Sequence, residues 1–281
     1  MAAITDLSDL VNLATNGGAV PPQNIFWHKD ARVGAGAAAA TVAGRLTSLW
    51  LYNGSPSGGA VPPTSATVPT NATDGSLKQA DPTGGRQLWM TGTVGCANVG
   101  GTLILYDRLL HISGLSGTVT TAQTVSGTAG RYTGTDAAGS VIWIEIYTAI
   151  GGTATTITAS YTDQDGNAGQ TSQAAAIGGV GLQEAQRIIP LTLAAGDTGV
   201  RAVASVDLVA STGTAGNFGV TIARPFAYIV LPVANNGQIR DFIAGLPAIL
   251  EAKVDACFAF AWLANTTTAP VLFGSTHFVE K

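Results

Sequence analysis

From Leu88 onward the pattern of hydrophobic and polar positions is that of strands punctuated by glycine. Thr155 to Thr162 sets Ile157, Ala159 and Tyr161 against Thr156, Thr158, Ser160 and Thr162, the period-two pattern of a half-buried strand. Val141 to Ile150 sets Ile142, Ile144 and Ile146 against Val141, Trp143, Glu145 and Tyr147. Apolar residues on both sides predict burial on both faces. Further strands are predicted at Leu103–Leu110, Ile188–Leu193, Val200–Ala210, Phe218–Ala223, Phe226–Pro232 and Cys257–Leu263. Asp163-Gln164-Asp165-Gly166-Asn167 reads as a hairpin loop, with Gln170–Ile177 as the returning strand.

Helical spacing occurs at one end. Ile4, Leu7, Leu10, Val11 and Ala14 fall on one stripe, with Thr5 or Ser8 as cap and Asn16-Gly17-Gly18 as stop. Pro21-Pro22 follows, so the pattern predicts a short helix leading into an extended arm. That helix either docks on a neighbour or folds back on its own core. Val33 to Gly44 is nearly pure Gly and Ala, and Ser55 to Asn71 reads as a long irregular surface segment. Gln238 to Lys253 has room for a brief helical turn, interrupted by Pro247. Short strands punctuated by turn residues predict an all-β fold, a β-sandwich or jelly-roll with a short N-terminal helix and extended arm. The division is 1–44 for helix and arm and 45–281 for the β-rich body, within which 135–225 has the texture of an Ig-like sandwich.

Composition sharpens this picture. Only 11% of the 281 residues are charged, 46% are hydrophobic, and 36 are glycine. Ordinary soluble domains carry about 25% charged residues, so this chain is expected to cover part of its surface with other protein. The net charge of -4 offers no basic face to nucleic acid, and no apolar run approaches the ~20 residues of a membrane span. Neither nucleic acid nor membrane is an expected partner. Met1 to Asn16 lacks the basic and apolar regions of a secretory signal, so folding is expected in a cytoplasm.

Candidate chemistry is sparse. His28, His111 and His277 are the only histidines. Asp107 and His111 would stand on one side of a strand about 13 Å apart, too far for a dyad. No serine or cysteine lies in a Gly-x-Ser-x-Gly elbow. Asp163, Asp165 and Asn167 start like a calcium loop, but positions six and twelve are Ala168 and Ala174, so a turn is the reading. Gly34-Ala35-Gly36 lacks the rest of a nucleotide-binding loop. No catalytic residue, metal site or cofactor is predicted. Cys96 and Cys257 are far apart in sequence, and spacing does not decide whether they pair. The five tryptophans are spread along the chain, as core or subunit-interface packing would have them.

Several segments resemble structural proteins of tailed-bacteriophage virions. They are Thr155–Ser172 (TTITASYTDQDGNAGQTS), Ile188–Leu193 with Ala195–Arg201, and Val206–Thr221 (VDLVASTGTAGNFGVT). Gly44–Tyr52 (GRLTSLWLY), Tyr106–Gly114 (YDRLLHISG) and Cys257–Pro270 (CFAFAWLANTTTAP) look like the same group. The resemblance covers most of residues 44–273 as texture and short phrases, and carries over no catalytic residue. It implies a non-enzymatic capsid decoration (cement) protein on the virion surface, made in a bacterial cytoplasm. Its partners would be the major capsid protein and itself, as a homo-oligomer and most often a trimer. The alternative is a tail, fibre or baseplate component contacting the host surface; a carbohydrate-binding module is a third reading. The interface anchors expected are Phe26, Trp27 and Trp50, together with the arm and the 55–71 segment. The arm is expected to matter more for assembly than for folding.

Overall fold

The computed structural model describes residues 7–15, 20–34, 41–241 and 250–281. Helix α1 spans Leu7–Ala14. The strands are β1 (Gln23–Gly34), β2 (Leu46–Ser48), β3 (Tyr52–Ser55), β4 (Leu88–Ala97), β5 (Gly101–His111), β6 (Gln123–Thr128), β7 (Val141–Thr148), β8 (Thr155–Asp163), β9 (Gln170–Thr171) and β10 (Ala175–Ile177). They continue with β11 (Arg187–Leu191), β12 (Val200–Leu208), β13 (Asn217–Leu231), β14 (Gln238–Asp241), β15 (Leu250–Ala252), β16 (Phe258–Ala264) and β17 (Val271–Glu280). Among the described residues the fold is all-β apart from α1 and one short 3-10 turn.

Six strands close a barrel in the order β11-β2-β16-β5-β13-β7. A first open sheet runs β14-β4-β17-β1-β3, with β15 also on β4. A second runs β10-β8-β12-β6, with β9 also on β8. Alternation assigns each barrel strand an inner and an outer face. Leu46, Ile104, Tyr106, Trp143, Tyr147, Ile188, Ala223, Ala259 and Ala261 come from all six barrel strands and pack in one cluster, which only the lumen allows. The opposite faces of the same strands carry Leu103, Leu105, Ile142, Ile144, Ile146, Phe258 and Phe260, which join the inner faces of both open sheets in one continuous core. This is why Val141–Tyr147 is apolar on both sides.

Two bulges interrupt the pairing of β5 with β13. Leu109 is unpaired where Leu110 faces Ile222 and Arg108 faces Ala223. The extra residue turns His111 to the side of Arg108, not that of Asp107. The second lies at Phe226, between Pro225 and Ala227. There Pro225, which has no N–H to give, is tolerated inside a strand. The two strands expected at Phe218–Ala223 and Phe226–Pro232 are therefore one.

Three other expectations are corrected or narrowed. Residues 23–34, expected as part of an extended arm, form β1, hydrogen-bonded between β17 and β3. Trp27, Lys29 and Ala31 point inward and are buried, so this stretch belongs to the body. The helical turn expected in 238–253 lies partly outside the described residues; its described ends are β14 and β15, both paired to β4. The 55–71 segment makes contacts, but with its own barrel. Thr67 and His111 exchange backbone hydrogen bonds at 3.0 and 2.9 Å, and the Trp50 indole donates to the Ala60 carbonyl at 2.8 Å.

Candidate functional site

A concave apolar surface lies on the outer face of the first sheet. Strand register builds it in rows. Phe26 on β1 faces Ser275 on β17, Ser275 faces Val94 on β4, and Val94 faces Ile239 on β14. In the next row His28 faces Phe273, which faces Cys96. Phe26 is 74% exposed, Ile239 71% and Phe273 50%. Between Phe26 and Phe273 runs a groove of about 410 Å³, whose lining includes Val94, Cys96, Ser55 and His28. No Asp, Glu, Lys or Arg lines it.

Behind the groove, the inner face is filled by one indole. Trp27, Gly274 and Gly95 share one row, and the Trp27 ring spreads beneath both glycines. A Cβ on Gly274 would sit 2.4 Å from that ring and 2.0 Å from the Val94 carbonyl oxygen. The indole packs on Phe260 with centroids 4.7 Å apart, and its N–H donates to the Thr276 hydroxyl at 3.2 Å. One edge of the groove is fixed by Lys29, whose Nζ donates to the carbonyls of Tyr52, Pro56 and Ser57 at 3.1, 3.0 and 3.1 Å. Burial lowers its pKa to about 8.

Elsewhere on this sheet α1 provides a cover. Leu10 and Leu13 are buried against Val279 and Trp89, and Lys281 pairs with Asp9. Leu7 and Val11 on the same helix remain exposed. Of the two placements open for the helix, it takes the one on its own body.

Of the three expected anchors, Phe26 alone presents its ring to solvent. Trp27 and Trp50 are 2% and 1% exposed and belong to the core. Trp50 lies under Gly59 and Gly75, where a Cβ would come within 2.4 and 2.9 Å of its ring. Sequence patterning does not set Phe273 and Ile239 apart. Their signal was alternation in β17 and β14, each too mixed in composition to stand out.

The densest group of titratable side chains lies in the barrel lumen. Arg108 Nη2 donates to Glu145 at 2.6 Å and to the Tyr147 hydroxyl at 3.0 Å. Its Nη1 donates to the Tyr106 hydroxyl at 3.1 Å and its Nε to His111 Nδ1 at 3.0 Å. The Glu145 carboxylate also accepts from Tyr147 at 3.0 Å and Thr221 at 2.9 Å. The guanidinium stacks over Trp50, 4.6 Å from the ring centroid. Burial works against the Glu145 charge, yet Arg108 outweighs it and holds the carboxyl below its usual range. Burial, aided by Arg108, lowers the His111 pKa to about 2, so the ring is a neutral acceptor. These groups pair with one another through Glu145 Oε2, while Glu145 Oε1 is buried without a hydrogen-bond partner, and Arg108 and Glu145 are 0% and 1% exposed. The arrangement builds a barrel core and presents no reacting group to a substrate.

The remaining candidates resolve as structure. Asp163 accepts from the backbone N–H of Asp165 and Asn167 and from the Asn167 amide, each at 2.8 Å, which makes the DQDGN run a turn. Cys96 is half-buried, Cys257 is buried, and both are free thiols. Burial pushes the Cys257 thiol up to about 12. Among the described residues no group of His, Cys, Asp or Glu is arranged to hold a metal, and no helix is long and apolar enough to cross a membrane.

No family model and no curated protein matches the chain. Solved structures similar to it include the VP2 subviral particle of infectious bursal disease virus, at 10% identity over 95% of this chain and 84% of that one, with a TM-score of 0.19. T=1 particles derived from the same virus match at 9% identity over 95% and 82%, also at 0.19. This is a weak likeness to proteins of virus particles, and at that TM-score it carries no argument about fold or function.

Proposed function

We propose that this chain is a non-enzymatic structural subunit of a virion, and that it decorates and stabilises an icosahedral phage capsid. The observation that carries this reading is the uncharged apolar face around Phe26 and Phe273. Contiguous exposed patches of this kind mark protein–protein contact sites. Two features of the sequence support it: charged residues at half the ordinary share, and segments that resemble tailed-phage structural proteins. Stabilisation would come from apolar area buried across subunit seams, at roughly 25 cal/mol per Å² before ordering costs. A repeating lattice multiplies modest contacts through avidity. The partners in this reading are the major capsid protein and further copies of this chain.

Quantitative mass spectrometry of purified virions carrying this chain tests the proposal. Copies in the hundreds, in fixed ratio to the major capsid protein, are expected. A handful of copies, recovered with tails after the head is removed, overturns the capsid reading in favour of a tail or fibre component.

A further inference from the structure

We infer that the outer face of the first sheet is a self-association surface, on which a second copy of this chain docks about a two-fold axis with Phe26 of each copy in the groove of the other. This deepens the structural-subunit reading by naming a surface and its occupant, and the solution dimer is testable whether or not the capsid assignment holds.

Area is the first argument. An aromatic side chain offers about 150–250 Å². With Phe26 and Ile239 exposed by more than 70% and Phe273 by half, the face shows roughly 400 Å² of apolar surface on that scale. A standard interface buries about 800 Å² per partner, a little over half of it apolar. The patch is therefore the size of the apolar part of one such half-interface.

Shape is the second. A two-fold interface uses the same patch on both subunits, so the patch must be its own complement. Here a projecting ring and a groove able to hold one lie side by side: Phe26 stands at the edge of a groove of about 410 Å³. Turning one copy over the other places each ring in the facing groove. The groove's floor is the backbone of Gly274 and Gly95, and the side chains beside it, Ser275, Cys96 and Val94, are small.

Charge is the third. A two-fold axis sets each part of the patch close to its own copy, so a charged patch would repel itself. The groove carries only His28, Ser55, Ser275 and Cys96 as polar lining side chains, with no Asp, Glu, Lys or Arg. A strongly charged partner would find nothing there to read.

Cys96 supplies the test. Residues 26 and 96 lie on β1 and β4 with β17 between them. Two strand spacings of about 4.8 Å put their backbones beyond the ~6.8 Å Cα limit of a disulfide. A Phe26→Cys variant therefore cannot bridge to Cys96 within one chain, whereas in the proposed dimer the two thiols meet across the axis. Mild oxidation should give a covalent dimer on a non-reducing gel, and Phe26→Cys combined with Cys96→Ser should lose it. In sedimentation the wild type should run as a dimer at micromolar concentration. Phe26→Glu should run as a monomer that still melts cooperatively, because residue 26 is mostly exposed within one chain; its melting temperature should fall only by the stabilisation that dimerisation lends the wild type. A wild-type monomer, a dimer indifferent to Phe26→Glu, a trimer, or a crosslink that persists without Cys96 would each overturn the inference. A dimer that never enters a virion would instead overturn the proposed function and leave this surface assignment standing.

Discussion

Asp107 and Arg108 are consecutive on β5, point to opposite sides of the barrel wall, and are each buried against an opposite charge from another segment. Asp107 meets Arg131 at 2.6 Å outside the wall, and Arg108 meets Glu145 at 2.6 Å in the lumen. The outer pair is a clamp. Arg131, from the β6–β7 connection, also donates to the carbonyls of Pro69 and Arg108 at 2.7 Å, and Asp107 accepts from the Cys257 N–H at 2.8 Å. One pair thus ties the long 56–87 segment and the start of β16 to β5. The inner pair spans β5 and β7 and fixes the lumen around two charges.

Removing one partner of the inner pair leaves a charge stranded in a buried lumen. Glu145→Leu should therefore cost about 3–5 kcal/mol in urea denaturation. Replacing both charges, Arg108→Met with Glu145→Leu, should cost less than Glu145→Leu alone, since no unpaired charge remains. A single substitution within about 1 kcal/mol of wild type would contradict the strandedness argument.

Lys29 predicts a dependence on alkaline pH. Its folded pKa of about 8 lies below its ordinary value of 10.5. Between these values the unfolded chain holds the proton that the folded chain has released. Stability gained from this group therefore rises as pH rises from about 8 to 10.5 and is flat below 8. Relative to Lys29→Met, the wild type should gain up to about 3 kcal/mol across that window. Paired denaturation curves at pH 7.5 and 10.5 would check it; an equal difference at both pH values would refute it.

Much of the all-β character was legible because Thr155–Asp163 alternates without a break and Val141–Thr148 is a short apolar run with two distinct faces. Alternation shows that a strand has two faces, but not what lies on each. A lumen holding Trp143, Glu145 and Tyr147 has the same pattern as a sandwich core, so closure of the barrel left no trace in the sequence. The Leu109 bulge was equally silent, and with it the pairing of His111 with Arg108. β1 was hidden because its inward positions include Lys29, a residue seldom buried without a partner. At the candidate site, Phe26 and Trp27 are neighbours on one strand, so only one of them can face outward. Which one does is settled by Gly274 and Gly95, far along the chain, whose missing side chains leave room inside for the indole.

That fit makes Gly274 a sensitive position. A methyl group there would collide with the Trp27 ring and with the Val94 carbonyl, which is backbone and cannot swing away. Gly274→Ala should cost about 1–3 kcal/mol or more, the usual range for overpacking a core. Tryptophan fluorescence and thermal melts of the variant would report it. A wild-type melting temperature would mean that the two strands separate more easily than their register implies.

The last prediction separates the helix from the strand that follows it. Deleting residues 1–15 removes Leu10 and Leu13 from Trp89 and Val279 and breaks the Asp9–Lys281 pair. Burial of a leucine is worth about 1.5–3 kcal/mol, but an eight-residue helix has little stability of its own to offset its ordering cost. The net loss should be modest, and the shortened protein should stay soluble and melt cooperatively a few degrees lower. Deleting residues 1–25 goes further. It removes Gln23, Asn24 and Ile25 from their ladder with Phe278, His277 and Thr276, and Ile25 from the edge of the main core. It also leaves β1 to begin at the exposed Phe26. This longer truncation should lose clearly more stability than the shorter one, as calorimetry of the pair would show. Equal melting temperatures would mean that the first turns of β1 are dispensable, and would return residues 20–25 to the role of an arm.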